Sequence, residues 1–178
     1  MLNRNFKTVM LGWFMSSQST GMNNAKFSQQ TIYSVDGEGV IYPANDTSPG
    51  EQATKAIINI LAHPTTNNTI AKQSQSRFFM ALGTGTTEAT EEDYTLETEN
   101  TGITCEAITQ TYTQSYKRQI TATFSNTTNQ DINIKEVGLF CEVYVTSTNY
   151  INTIMLAREN INVTIPAGET KAITMEIG

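Results

Sequence analysis

RQITATFSNTTNQDINIKEVGLFC, residues 118–141, is the stretch on which the fold is decided. In its first half Ile120, Ala122 and Phe124 alternate with Thr121, Thr123 and Ser125, the period-two pattern of a strand with one buried and one wet face. Asn126-Thr127-Thr128-Asn129 reads as a turn. Ile132, Ile134, Val137, Leu139 and Cys141 then build a second strand, in which Gly138 marks a bulge or a close backbone approach. The same grammar continues outward in both directions. Upstream, strands are predicted over 77–82, stopped by Gly83-Thr84-Gly85, and over 104–113, ahead of a bend at 115–117. Downstream, short strands are predicted over 143–146, 154–157 and 161–165, with polar Arg158-Glu159-Asn160 separating the last two. Pro166-Ala167-Gly168 turns the chain into a final strand, 172–177, with Ile173, Met175 and Ile177 on one face.

Short strands at close turn spacing predict a mainly β protein: an antiparallel β-sandwich, immunoglobulin-like or jelly-roll-like. Leu82, Phe124, Val137, Leu139, Ile165 and Ile173 are its expected core, with Ile57 from one short helix that precedes the sheets. That helix is read from Ala53, Ala56, Ile57, Ile60 and Leu61, which share one face; Thr47 or Ser48 caps its start and Pro64 marks its end. Residues 51–178 are thus a helix plus a sandwich. Residues 1–50 are a separate N-terminal docking arm carrying a hairpin, 31–35 with 40–42, around Asp36-Gly37.

Composition agrees with strands and narrows function. Of 178 residues only 16% are charged, whereas 29 are Thr and 16 are Asn. Thr favours the pleated sheet and Asn the turn. The formal charge of -6 provides no overall field for nucleic acid or anionic lipid, and no apolar run reaches membrane-spanning length, so neither is an expected partner. The start, MLNRNFKTVMLGWFMSSQS, imitates a secretory signal, but its apolar stretch is short and no small-x-small site follows closely. Met10, Leu11, Trp13, Phe14 and Met15 are instead read as docking residues that need a partner surface, on the chain's own domain or on a neighbouring subunit. Deleting residues 2–20 is expected to leave a folded β-domain that no longer docks.

The residues that carry chemistry elsewhere form no convincing set here. Gly83-Thr84-Gly85-Thr86-Thr87 would let backbone amides approach an anion, yet no Lys follows and the next residues are acidic, against phosphate binding. The acidic loop 88–99 holds six carboxylates without EF-hand spacing and reads as a solvated charge run or a divalent-ion loop. His63, the one histidine, stands at the helix end, so a Ser-His-Asp or Cys-His set is not expected and no cofactor is implied. Cys105 and Cys141 are too few for a disulfide scaffold; a bond between them and two reduced thiols are both open. Asn126-Thr127-Thr128 and Asn162-Val163-Thr164 match glycosylation acceptors at the rate that composition alone would produce. Tyr112, Tyr116 and Tyr150, with Tyr144, are candidate glycan contacts that are equally readable as core or interface residues.

In order along the chain, these blocks resemble a group of small tailed-bacteriophage virion proteins. The resemblance rests on Phe78-Phe79-Met80-Ala81-Leu82-Gly83-Thr84-Gly85-Thr86-Thr87, then Asp93 and Leu96-Glu97, then Ile120-Thr121-Ala122-Thr123-Phe124. It continues through Ile134-Lys135-Glu136-Val137-Gly138-Leu139-Phe140, Met155-Leu156-Ala157-Arg158 and Ile165-Pro166-Ala167-Gly168-Glu169. It covers about residues 51 to 178. It implies a β-sandwich and a non-enzymatic structural role in the virion, at the neck, collar or tail or the head-to-tail region, with copies of itself and other virion proteins as partners. Capsid decoration, a head fibre, or an adhesin contacting a host surface glycan is the alternative.

Overall fold

The computed structural model describes residues 2–7, 30–37, 39–42, 77–112, 117–145 and 150–177. Among these residues eight strands run in chain order: β1 Gln30–Tyr33, β2 Gly39–Tyr42, β3 Arg77–Gly83, β4 Ile103–Tyr112, β5 Arg118–Asn126, β6 Ile132–Val145, β7 Tyr150–Ile165 and β8 Thr170–Ile177. β1 and β2 form a two-stranded hairpin. The others form two three-stranded antiparallel sheets, ordered β3-β6-β7 and β4-β5-β8. The chain passes from one sheet to the other at the β3–β4, β5–β6 and β7–β8 connections, so the sheets are interlocked by sequence as well as by packing.

The expected alternation builds the core. Ile120, Ala122 and Phe124 of β5 and Ile173, Met175 and Ile177 of β8 point inward against Leu82, Val137, Leu139, Ile154, Leu156 and Ile165 of the other sheet. Six of the seven predicted core residues are therefore buried; Ile57, and the predicted helix with it, lies outside the described residues. Cys105 and Cys141 stand on different sheets and form no disulfide, Cys141 fully buried and Cys105 half-buried, where burial pushes its thiol pKa up. On the solvent side of β4-β5-β8, Thr121 and Thr174 share a hydrogen bond of 2.7 Å, as do Ser125 and Thr170, and Thr109 donates to the Thr121 carbonyl at 3.4 Å. Part of the Thr excess is thus laid out in cross-strand hydroxyl rows, with Glu106 accepting from Ser125 at the end of one of them.

Two predicted breaks are absent. β6 continues through 132–145 where two strands were expected, and β7 continues through Arg158-Glu159-Asn160 without interruption. A polar triplet normally signals a loop because its side chains seek water. Here Arg158 is 3% exposed and meets Glu136 of β6, which is 0% exposed, so the strand retains a buried ion pair where a break was read. Gly138 fits its close-approach reading: a Cβ there would come within 3.0 Å of the Phe140 ring. The register shifts lie beside it, at Ile134/Glu136 and Leu139/Phe140.

The outer face of β3-β6-β7 carries a second, smaller core of Leu96, Phe140 and Met155, joined by Val35, Phe79 and Ala81. Leu96 comes from the acidic loop and Val35 from the end of the hairpin. This sheet is therefore covered on both faces, and the covering segments form the site described next.

Candidate functional site: a clamp around a buried carboxylate

Glu136 lies at the centre of the polar structure. Its Oε1 accepts hydrogen bonds from the amides of Gly85 at 3.1 Å and Thr98 at 2.8 Å. Its Oε2 accepts from the Glu97 amide at 3.0 Å and from Arg158 Nε at 2.8 Å. Three backbone amides and one guanidinium thus replace the water that this carboxylate has lost. One of these amides comes from the Gly83-Thr84-Gly85 loop and two from residues 97–98 of the acidic loop, so the two loops together hold an internal anion. A Cβ on Gly83 or Gly85 would come within 3.0 Å of Glu136 Oε1, so only glycine lets the backbone approach this closely.

Arg158 links the cradle to the acidic loop. Its Nη1 donates to Asp93 Oδ2 at 2.8 Å and its Nη2 to the Thr87 carbonyl at 3.0 Å, with Glu97 Oε2 3.8 Å away. Asn160 extends the contact, donating to the same Thr87 carbonyl at 2.9 Å and accepting from the Ala89 amide at 2.7 Å. Burial raises the carboxyl pKa of Asp93, but hydrogen bonds from Thr90 and Arg158 outweigh it and hold the group below the usual range. Glu97 is lowered chiefly by hydrogen bonding from Thr87. Burial alone would lower the Arg158 pKa; Asp93 and Glu136 reverse that, so the guanidinium stays charged.

The rim of the loop receives the start of the chain. Residues 4–7 form one helical turn. Leu2 bridges Ala157 on the edge of β7, and the Asn3 amide donates to the Leu156 carbonyl at 3.1 Å. Asn3 Nδ2 donates to the carbonyls of Met155 at 2.6 Å and Asp93 at 3.0 Å. Asn5 exchanges two hydrogen bonds with the Tyr33 backbone, at 2.6 and 2.8 Å. Arg4 pairs with Glu92 and Lys7 with Glu91, which lowers the Glu91 pKa. The Val35 amide donates to the Thr153 carbonyl at 2.9 Å, so the hairpin covers the adjoining part of the same edge.

These contacts revise several readings. The acidic loop is not simply a solvated run: Glu91, Glu92, Asp93 and Glu97 face Lys7, Arg4 and Arg158. Among the described residues no group of three or more His, Cys, Asp or Glu is placed to hold a metal ion. Residues 2–7 fold onto the sandwich, so deleting 2–20 would also remove part of its surface. Asn126 is 1% exposed and its Nδ2 donates to the carbonyls of Gln130, Ile165 and Pro166, which makes its Asn-x-Thr triplet a structural corner. Met10, Leu11, Trp13, Phe14 and Met15, and also Tyr116, lie outside the described residues. Tyr112 ends β4 and Tyr150 opens β7, both at strand ends remote from the 127–131 turn. Beside that turn, Thr84, Glu99, Asn100, Thr128, Gln130 and Asp131 line an open polar cleft of about 400 Å³. No helix among the described residues is long and apolar enough to cross a membrane.

Sequence reasoning missed Glu136 and Arg158 as a pair, because Glu136 stands in a strand that otherwise reads as apolar and Arg158 in a triplet read as a break. A charged residue at a position where alternation allows burial, repeated with opposite sign on a neighbouring strand, was the available signal. No protein-family model, curated protein or solved structure matches the chain.

Proposed function

We propose that the protein is a non-enzymatic structural component of a tailed-phage virion, at the neck, collar, tail or head-to-tail region. It assembles in multiple copies and docks through Met10, Leu11, Trp13, Phe14 and Met15. The observation that carries this reading is that most of the sequence blocks resembling virion proteins meet in one internal clamp. Gly83, Gly85, Thr87, Asp93, Leu96 and Glu97 close on Glu136 and Arg158, and Gly138 and Met155 lie beneath Leu96. Residue types that could do chemistry are used here to lock a loop onto a sheet. A subunit packed among neighbours is served by that property.

The hydroxyl rows of β4-β5-β8 support the same reading, since Thr and Ser side chains there can exchange hydrogen bonds with another subunit, with Glu106 beside Ser125 and the Lys117–Glu176 pair adding charge to that surface. Asn5 and Tyr33, which precede and follow the docking segment in the sequence, are hydrogen-bonded to each other. Replacing Leu11, Trp13 and Phe14 together by Ser tests the assignment. The variant is expected to keep the thermal midpoint of the wild type and to disappear from assembled particles; incorporation at the wild-type level would refute the docking role.

A further inference from the structure

The cleft beside the 127–131 turn is built from segments fastened to one another. The Thr84 amide donates to the Thr98 carbonyl at 2.9 Å and the Asn100 amide to the Leu82 carbonyl at 2.8 Å, which ties 98–100 to the end of β3. Thr127 donates to the Gly102 carbonyl from its amide at 3.3 Å and from its hydroxyl at 3.2 Å, which ties the turn to the same loop. Gly102 permits that approach, since a Cβ there would stand 2.8 Å from Thr128 Cγ2. Asn126, buried beneath, fixes the turn through the carbonyls of Gln130, Ile165 and Pro166. The walls are therefore set before any ligand arrives, and their volume of about 400 Å³ is that of a small-molecule site.

The lining selects the chemistry of the ligand. The hydroxyls of Thr84, Thr98 and Thr128 and the amides of Asn100, Asn129 and Gln130 both donate and accept hydrogen bonds, as a sugar hydroxyl does. Glu99 and Asp131 add carboxylate acceptors; the Ala167 amide donates to Asp131 Oδ1 at 3.0 Å and orients that group. None of the lining residues is Lys or Arg, so the two carboxylates disfavour phosphates and acidic sugars. Position keeps the cleft accessible. Leu2 bridges Ala157, the partner of Leu139 on β6, whereas the cleft meets β6 at Ile132, about 23 Å away along the strand. We propose that this cleft binds a neutral saccharide, whose hydroxyls are held by Glu99, Asn100, Asn129, Gln130 and Asp131. The proposal is independent of the docking role, and it places saccharide contact on the loops 98–102 and 127–131, away from Tyr112 and Tyr150.

Full-length protein, displayed multivalently on an array of neutral hexose, N-acetylhexosamine and sialylated oligosaccharides, tests the site. The expected result is binding to at least one neutral glycan and none to the sialylated ones. Asn129→Ala combined with Gln130→Ala should weaken the strongest signal about tenfold, as the loss of two hydrogen-bonding side chains requires. Its thermal midpoint should match the wild type, because both side chains are exposed and the Gln130 carbonyl that Asn126 holds is retained. Tyr112→Ala is expected to bind as the wild type does. Absence of binding to every neutral glycan overturns the proposal, and so does a preference for the sialylated ones. Undiminished binding by the double variant, or loss of binding in Tyr112→Ala alone, overturns the placement of the site in this cleft.

Discussion

Replacing Glu136 by Gln keeps the shape of the side chain and removes its charge. The carboxylate accepts four hydrogen bonds, two on each oxygen. A glutamine carbonyl can keep two of them. Its NH2 group must then face either the amides of Gly85 and Thr98 or the Glu97 amide and Arg158 Nε, donor against donor. In either orientation two donors lose their acceptor in a region without water, and Arg158 loses the buried half of its charge compensation. An orphaned buried donor costs about 1–3 kcal/mol and an unpaired buried charge about 3–5 kcal/mol. Part of this is relieved by movement of the loop, so the net loss should be about 3 kcal/mol, a large share of the roughly 5–15 kcal/mol that holds a domain together. For a chain of this length that is a fall in melting temperature of about 6–12 °C. Urea denaturation should show a lower midpoint at unchanged slope, and hydrogen exchange should accelerate at the amides of Gly85, Glu97 and Thr98. A change under about 0.5 kcal/mol, within the range of an ordinary surface substitution, with those three amides as protected as before, would refute the clamp as a stabilising element.

Three further outcomes are expected. Gly85→Ala and Gly83→Ala should each destabilise by about 1–3 kcal/mol in thermal melts, because the new Cβ overlaps Glu136 Oε1; neutral substitutions would mean that the loop is not held against the sheet. Asp93 has a depressed carboxyl pKa in the folded state, so its contribution is complete above the unfolded value of about 4 and is lost as pH falls through the folded value. Asp93→Asn should accordingly flatten the acid limb of stability against pH below about 4 and leave the slope near pH 7 unchanged; an unaltered acid limb would contradict the pairing with Arg158. Asn3→Ala should cost about 1–3 kcal/mol, since it strips donors from the carbonyls of Met155 and Asp93, and a melting curve superimposable on the wild type would place residues 2–7 outside the folded unit.

The sandwich was legible because its signal is local. Alternation in 118–126 and 170–177 and turn residues at Asn126 and Pro166-Ala167-Gly168 act over a few positions, and β5 and β8 appear where that pattern puts them. Gly168, with φ of +71°, is the turn residue the pattern requires. The clamp was not legible, because its logic is long-range: Glu136 joins residues 85, 97, 98 and 158, which no window of sequence contains together. The same fact explains the error at Arg158-Glu159-Asn160. Read locally, the triplet looks like water-seeking punctuation; opposite Glu136 it is the inside of a strand. The Gly83-Thr84-Gly85 loop lies between these cases. Its glycines read as room for close backbone approach and its acidic sequel as evidence against an anion; that the Gly85 amide meets the chain's own carboxylate required the fold.

The proposed role requires this chain to be built into a particle. Quantitative mass spectrometry of purified, washed phage particles tests that role. The protein is expected at a fixed whole-number ratio to the other structural proteins, retained through washing at high salt. Its absence from intact particles, with the soluble protein monomeric at every concentration, would contradict the claim.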